Sequence, residues 1–420
     1  MKNKLIFIGF PILITTILFL LSKSSIEVTP LFFAQWLGLI GATLICITFL
    51  LTTRLSIFEN MFGGQDKVYR VHRLISTIAF AAILNHPIML ALTGISLLKS
   101  LKLYFLPGAI LSYNYGIFAL YLLIALIFVT IVVNLPYHIW KITHKFMGLV
   151  LMLAFLHILT IESDVSRYLP LRIWMISLFT IAIASYLYTI YFKKFFIKTY
   201  KYNILKINII NDVVEVLFDI KNQKINFKPG QFIMLKFPDL GNEAHPFTIA
   251  SAPTENILRL SIKKSGDYTN LLDKLSKDDL GIITGPYGRI YEDFAFNKDV
   301  VCIAGGIGIT PFLSLFRSQQ VKESKTSKYL FYSVKDLNQA IYDHELEEIS
   351  KIDPNFKYNL WITSQMGYIN AEKIAKIAKD LKNKIIYICG PEQMAFALID
   401  QFKKLGIKNR QIKFEEFSFR

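Results

Sequence analysis

Four histidines fall in two pairs inside apolar stretches. His72 and His86 stand 14 residues apart, and His144 and His157 stand 13 apart. An ionisable side chain in hydrocarbon is expensive and marks function, and imidazole is a good axial ligand for haem iron. At roughly 1.5 Å rise per residue each pair spans about 20 Å, enough to stack two haems across a bilayer. These four residues are therefore the candidate metal ligands of two b-type haems. The expected sites are six-coordinate and bis-histidine, suited to outer-sphere electron transfer rather than to oxygen on the iron. Fourteen helical residues return to within about 40° of the starting face, but thirteen miss it by about 140°. The second pair thus predicts an irregular first turn at His144 or a deviation near Gly148. His138, beside Pro136, is the alternative inner ligand.

The elements that must carry these residues are legible in the apolar pattern. The chain has 420 residues, 53% of them hydrophobic, and a mean hydropathy of +0.41. The apolar runs concentrate in residues 1–196, where six spans of about 20 residues fit 5–22, 31–53, 72–93, 113–133, 145–162 and 169–192. Lys2 and Lys4 precede the first span as in a signal peptide. No small-residue cleavage site follows it, so it is expected as a retained helix. With the N-terminus inside, the inner segments hold 11 Lys and Arg against 5 outside, which satisfies the positive-inside rule. Both termini and everything beyond residue 193 are then cytoplasmic, and the host bilayer is the cell membrane. The net charge of +16 needs no nucleic acid: residues 1–200 hold 16 Lys and Arg against 5 Asp and Glu, where basic loops meet anionic lipid. Cys46, Cys302 and Cys389 are too few and too scattered for a disulfide framework or a zinc site.

Residues 200–290 read as short strands, Tyr202–Ile209, Val213–Phe218, Phe232–Phe237 and Leu258–Lys263, punctuated by turns as in a small antiparallel barrel. Within them stand Pro229-Gly230-Gln231-Phe232 and His245-Pro246-Phe247-Thr248-Ile249-Ala250-Ser251. This segment resembles the flavin motif of the membrane NADPH oxidases and ferric reductases, in which His stands where many soluble relatives have Arg. The resemblance implies that His245, Pro246, Phe247, Thr248 and Ser251 bind FAD, the aromatic near the isoalloxazine ring and the hydroxyls along the ring and the ribityl–phosphate portion. Lys263-Lys264-Ser265-Gly266-Asp267-Tyr268-Thr269 resembles the family's pyrophosphate segment, with Lys263, Ser265, Gly266 and Thr269 as binding residues. Its cations, exposed backbone and hydroxyl suit that role. Gly285-Pro286-Tyr287-Gly288 resembles the turn that closes the barrel.

Asp299–Ala304 has the pattern of a buried strand, followed by Gly305-Gly306-Ile307-Gly308-Ile309-Thr310-Pro311 and a helical run, Phe312–Gln319. Such glycines let backbone approach a pyrophosphate at a helix N-terminus. The motif resembles the NADP domain of ferredoxin reductases, which makes Gly305, Gly306, Gly308, Thr310 and Pro311 cofactor residues. Ser333 and Lys335 follow the next expected strand, Tyr329–Ser333, where the family binds the ribose 2′-phosphate. A cation there favours NADPH over NADH. Ile385–Ile388 reads as a further buried strand ending in Cys389-Gly390-Pro391, similar to the family's nicotinamide element. Cys389 is a catalytic candidate or a small core residue. In the family a terminal aromatic stacks on the flavin; Phe417 is the choice here and Phe419 the second.

The fold class expected is a multidomain membrane protein. A six-helix transmembrane bundle precedes a ferredoxin-reductase-like module, made of an antiparallel β-barrel FAD domain and an α/β nucleotide-binding domain. The expected domains are 1–196 for the bis-haem bundle, 197–296 for FAD and 297–420 for NADPH. The resemblance implies electron transfer from cytoplasmic NADPH through FAD and two haems to dioxygen, giving superoxide, as in the bacterial NADPH oxidases. No EF-hand pattern or long insertion is present, so no obligatory protein partner is expected. Ferric or cupric chelates are the alternative acceptors, and an extracytoplasmic protein or quinone is a third. A non-enzymatic haem-binding or transport protein is a different class, against which the intact nucleotide motifs argue.

Overall fold

The computed structural model describes residues 2–133, 135–196, 198–221, 223–241, 243–288, 298–318 and 325–415. The chain divides into two compact units, Met1–Phe196 and Ile197–Arg420. Phe417 and Phe419 lie outside the described residues.

The first unit is helical. Its elements are α1 (Lys2–Leu21), α2 (Pro30–Leu51), α3 (Ser56–Phe62), α4 (Gln65–Ala91), α5 (Leu97–Phe105), α6 (Leu111–Ile131), α7 (Tyr137–Lys145), α8 (Met147–Thr160), α9 (Asp164–Arg167) and α10 (Leu169–Leu187), then a π turn Tyr188–Phe192 and α11 (Lys193–Phe196). Among the described residues six helical stretches are long and apolar enough to cross a membrane: Lys4–Leu21, Pro30–Leu51, Lys67–Ala91, Leu111–Ile131, Ile139–Thr160 and Leu169–Phe192. In hydrocarbon only a helix or a closed barrel satisfies every backbone polar group, which is why these runs are helical. Scattered hydroxyl and indole bonds tie α1 into the bundle. Thr15 bonds Thr43 across to α2 at 3.0 Å, Trp36 Nε1 donates to Thr16 at 3.1 Å, and Trp174 Nε1 on α10 donates to Thr15 at 2.9 Å.

The fifth span is broken. α7 ends at Lys145 and α8 begins at Met147, with Phe146 between them turning its N–H to Thr143 and His144 rather than to residue 142. The break absorbs the missing residue in the 13-residue His144–His157 spacing. It falls two residues before Gly148, where the sequence leaves the choice open between an irregular turn and a deviation. Tyr186 on α10 donates its hydroxyl to the carbonyl of Lys145 at 3.0 Å, and its ring packs against Gly148.

The second unit holds two sheets. β1 (Thr199–Ile210), β2 (Val213–Asp219), β3 (Phe232–Lys236), β4 (His245–Thr248), β5 (Ile257–Lys263) and β6 (Leu280–Tyr287) form an antiparallel sheet in the order β4-β3-β6-β1-β2-β5. A bridge from Ile249 to Leu260 joins its two ends into a barrel. Alternation in β1 turns Tyr200, Tyr202 and Ile204 inward and their neighbours out. Asn211 makes the β1–β2 turn at φ +55°, which Asn tolerates better than most residues. The 3₁₀ turn and short helix α12 (Asp267–Asn270) lie between β5 and β6. The second sheet is wholly parallel: β7 (Val300–Gly305), β8 (Lys328–Val334), β9 (Phe356–Ile362), β10 (Ile385–Cys389) and β11 (Ile412–Glu415), in the order β11-β10-β7-β8-β9. β7 and β8 are buried along their whole length, as strands covered on both faces must be. Helix α13 (Thr310–Arg317) follows β7. Strands β4, β6, β9 and β11 escaped the sequence reading: Pro246 in β4, Gly281 and Gly285-Pro286 in β6 and Lys357 and Asn359 in β9 interrupt the apolar pattern, and β11 is four residues long. Gly285, Pro286 and Tyr287, expected in a turn that closes the barrel, are instead the last residues of β6.

The packing at the helix break is testable. A Cβ at Gly148 would lie 2.2 Å from the Tyr186 ring. Gly148→Ala should destabilise the bundle by about 1–3 kcal/mol through overpacking, read as a lower melting temperature in detergent. Gly9→Ala, which meets nothing within 4 Å, should leave that temperature unchanged.

Candidate functional site

The histidines interact as two pairs. His86 and His157 lie within electrostatic reach of one another, and so do His72 and His144. α4 packs antiparallel on α2, and its two histidines bond that helix at matching positions. His86 Nδ1 reaches the carbonyl of Ala34 at 2.7 Å, and His72 Nδ1 reaches that of Thr48 at 3.2 Å. Ala34 and Thr48 are 14 residues apart, as are the histidines they hold. On α8, His157 Nδ1 reaches the carbonyl of Ser112 on α6 at 2.7 Å. A carbonyl only accepts, so each of these three Nδ1 atoms carries the proton and each Nε2 presents a lone pair. His144 differs: its Nδ1 is buried and has no hydrogen-bond partner, and its ring stacks on Trp140 with centroids 5.1 Å apart. Among the described residues no group of three or more His, Cys, Asp and Glu could hold a bare metal ion. Two interacting imidazoles per level would suit instead a macrocycle that brings nitrogens of its own to the metal. His138 is placed on α7 with His144, and its side chain lies outside the description.

In the barrel, β4 consists of His245, Pro246, Phe247 and Thr248, laid against β3 so that His245 pairs Leu235 and Thr248 pairs Phe232. Gln231 anchors the start of the motif. Its side chain donates to the Gly288 carbonyl at 2.9 Å, and its own carbonyl accepts the Ile249 N–H at 2.9 Å. The His245 ring stacks on Tyr268 with centroids 3.9 Å apart and 27° between planes, and its Nε2 lies 3.4 Å from Glu243. This stack joins the His-Pro-Phe motif to the Lys-Lys-Ser-Gly segment. In that segment Thr269 Oγ1 accepts from both the Ser265 and Gly266 amides, at 2.9 and 3.0 Å, which fixes the loop. Lys263 and Lys264 pair with Asp212 and Asp273 at 3.2 and 3.0 Å.

Ser251 ends the motif fully buried. Its hydroxyl accepts the Arg259 N–H at 3.1 Å, and its carbonyl accepts Ser314 Oγ from α13 at 2.8 Å. Three residues on, Arg317 donates to the Ala250 carbonyl at 2.7 Å and grips Glu345 through two bonds of 2.6 Å. Burial works against the Arg317 charge, but the Glu345 carboxylate outweighs it and raises the guanidinium above its ordinary value. Nearby, Tyr342 donates to Glu215 at 3.1 Å and hydrogen-bonds Ser261. Burial and then the Glu215 charge push this phenol upward, so it stays a donor. The flavin motif and the nucleotide subdomain therefore share a buried polar seam.

The strand order of the parallel sheet reverses between β7 and β10, and the crevice at such a switch point is where doubly wound sheets bind ligands. Gly305 ends β7 and Gly306 and Gly308 follow it, while Cys389 ends β10 and Gly390 and Pro391 follow it. The two loops touch through their glycines. A Cβ on Gly308 would lie 2.3 Å from the Cys389 carbonyl oxygen, and one on Gly390 would lie 2.9 Å from Gly305 Cα. Thr310 bonds the Ile307 carbonyl at 3.1 Å and Pro311 stands in the first turn of α13. Ser333 is buried at the end of β8, and Lys335 is exposed just beyond it. Cys389 is fully buried.

Family profiles match the chain in this same order. A ferric reductase like transmembrane component covers residues 37–155, an FAD-binding domain covers 195–290, and an oxidoreductase NAD-binding domain covers 302–399. The chain thus carries a ferric reductase like transmembrane domain followed by FAD-binding and NAD-binding domains, and it is similar to NADPH oxidases at modest identity. It is 31% identical over 201 residues to a superoxide-generating NADPH oxidase heavy chain of Dictyostelium discoideum, covering 39% of this chain and 28% of that one. To NADPH oxidase 1 of Mus musculus it is 25% identical over 253 residues, 48% of this chain and 43% of that one. Each match thus spans less than half of the relative's length. Among solved structures, a flavohemoglobin from Malassezia yamatoensis superposes with a TM-score of 0.50 at 20% identity, over 76% of this chain and 90% of that one. That is a likeness of fold.

The six apolar helices and the transmembrane domain are those of an integral membrane protein, and FAD- and NAD-binding domains follow them. Tyr268, Gly38 and Gly116 escaped selection from the sequence. Tyr268 lies inside the Lys-Lys-Ser-Gly segment, which was its only signal. The two glycines lie 48 and 41 residues from the histidines they touch, and no local pattern reports that contact.

Gly308→Ala would drive a methyl into the Cys389 carbonyl and force the loops of β7 and β10 apart. The expected result is a Kd for the nicotinamide nucleotide raised about tenfold or more, equivalent to about 1.4 kcal/mol, with the FAD content unchanged. Equilibrium dialysis against the nucleotide reads it.

Proposed function

We propose that the protein is a superoxide-generating NADPH oxidase of the cell membrane, with both termini cytoplasmic. The observation that carries the reading is the pairing of four intramembrane histidines at two levels, three of them held as Nδ1–H tautomers, in a chain whose remaining half is a flavin and nicotinamide module. The crevice between β7 and β10 takes the nicotinamide nucleotide. Gly305, Gly306 and Gly308 admit its pyrophosphate, Thr310 and Pro311 start the helix beneath it, and Gly390 and Pro391 line the nicotinamide side with Cys389 behind them. Ser333 and Lys335 receive the 2′-phosphate. His245, Pro246, Phe247 and Thr248 line the flavin, Lys263, Ser265, Gly266 and Thr269 face its pyrophosphate, and Ser251 ties that site to α13. Phe417 shields the flavin until the nicotinamide displaces it. His72 with His144 and His86 with His157 hold two b-type haems. When bound, FAD would supply the conversion of a two-electron hydride into single electrons, and haems on these histidines would supply a one-electron path towards dioxygen at the far face.

Two measurements test this. Purified protein supplied with FAD and haem should oxidise NADPH and reduce cytochrome c, with superoxide dismutase abolishing the cytochrome signal. A signal that survives dismutase, or that needs a ferric chelate, would make the chain a reductase for another acceptor. Separately, Lys335→Asp should lower the NADPH-over-NADH preference about tenfold or more, each factor of ten being about 1.4 kcal/mol. Unchanged selectivity in kcat/KM would assign the phosphate to another residue.

A further inference from the structure

The imidazoles of His86 and His157 are seated by one device built twice, on different helices. On α2 the Ala34 carbonyl accepts His86 Nδ1–H, and Gly38 stands one turn further on; a Cβ there would lie 2.8 Å from Nδ1 and 3.0 Å from Cε1 of that ring. On α6 the Ser112 carbonyl accepts His157 Nδ1–H, and a Cβ on Gly116 would lie 3.0 Å from Nδ1 and 3.1 Å from Cε1. The four-residue offset follows from helix geometry. The N–H of residue i+4 already donates to the carbonyl of residue i, so the side chain at i+4 stands beside any second donor that arrives. Only glycine leaves that donor room. The other level needs no such gap. Thr48 lies in the last turn of α2, and the Thr52 N–H turns to Phe49 and Leu50, so the Thr48 carbonyl is one of the orphans at the helix end. His72 reaches it at 3.2 Å, while His144 Nδ1 has no partner at all.

We propose that Gly38 and Gly116 are positioning residues for the haem held by His86 and His157. By omitting a side chain they let both rings reach helix carbonyls, which fix the tautomer and aim Nε2 at the metal. The inference rests on the bis-histidine reading above. It assigns different support to the two levels: a double carbonyl and glycine cradle at one, and a single end-of-helix carbonyl at the other.

The test uses the full chain with haem. A bis-histidine haem is low-spin and, with both axial positions filled, resists carbon monoxide. In Gly38→Ala and in Gly116→Ala the displaced imidazole should leave one haem with an open position. About half of the ferrous haem should then bind carbon monoxide, and one of two low-spin signals should vanish from the paramagnetic resonance spectrum. Gly41→Ala is the control, because it crowds the same α2–α4 interface against Ile83, at 2.6 Å, without touching a histidine. It should keep wild-type spectra. Should one glycine variant fail to accumulate, the other reads the same level from the opposite helix. Wild-type spectra in both variants, or the same spectral change in Gly41→Ala, would overturn the cradle. A wild-type chain that takes up no haem would instead overturn the bis-histidine reading and the cradle with it.

Discussion

A hydrogen-bond donor buried among apolar helices must find an acceptor, and a helix has few to spare. Each carbonyl within it already accepts from the residue four positions on. The membrane unit is arranged around this scarcity. His86 and His157 share carbonyls that are in use, which requires Gly38 and Gly116, while His72 takes one that the end of α2 leaves free. For these three rings the acceptor is a carbonyl, which fixes the proton on Nδ1 and the lone pair on Nε2; His144 Nδ1 stands without one. A solvation problem thereby decides which nitrogen of these three rings is available for chemistry. It also sets the register of α4 on α2, since Ala34 and Thr48 must stand opposite His86 and His72 together.

The second unit solves a different problem, that of holding a flavin motif and a nucleotide crevice in fixed relation. Helix α13 does this with its two ends. Its first turn carries Thr310 and Pro311 beneath the crevice, and its later turns send Ser314 and Arg317 to the carbonyls of Ser251 and Ala250. Glu345 holds Arg317 through both carboxylate oxygens, so the guanidinium is oriented before it meets the flavin motif. Tyr342, Glu215 and Ser261 continue the seam. Buried polar bonds of this kind specify geometry more than they add stability, and relative position is what hydride transfer between two bound cofactors demands.

The sequence by itself determined the elements whose signals are local. Apolar runs of bilayer length gave the spans, since hydrocarbon tolerates little else, and strand alternation and glycine motifs gave the barrel and the nucleotide loops. The four histidines were legible because an ionisable side chain stands out in an apolar run, and the 13-residue spacing announced an irregularity in the fifth span. Only the tertiary structure decided where that irregularity falls, at Phe146, with Tyr186 of α10 bonded to the Lys145 carbonyl beside it. It alone joined His245 to Tyr268, buried Ser251 against α13, and placed Gly38 and Gly116 against imidazoles dozens of residues away. The physical reason is the range of the information. Hydropathy and backbone propensity repeat every two to four residues and are written in the chain, whereas contacts between distant segments are set by packing and hydrogen-bond satisfaction and leave no period to read.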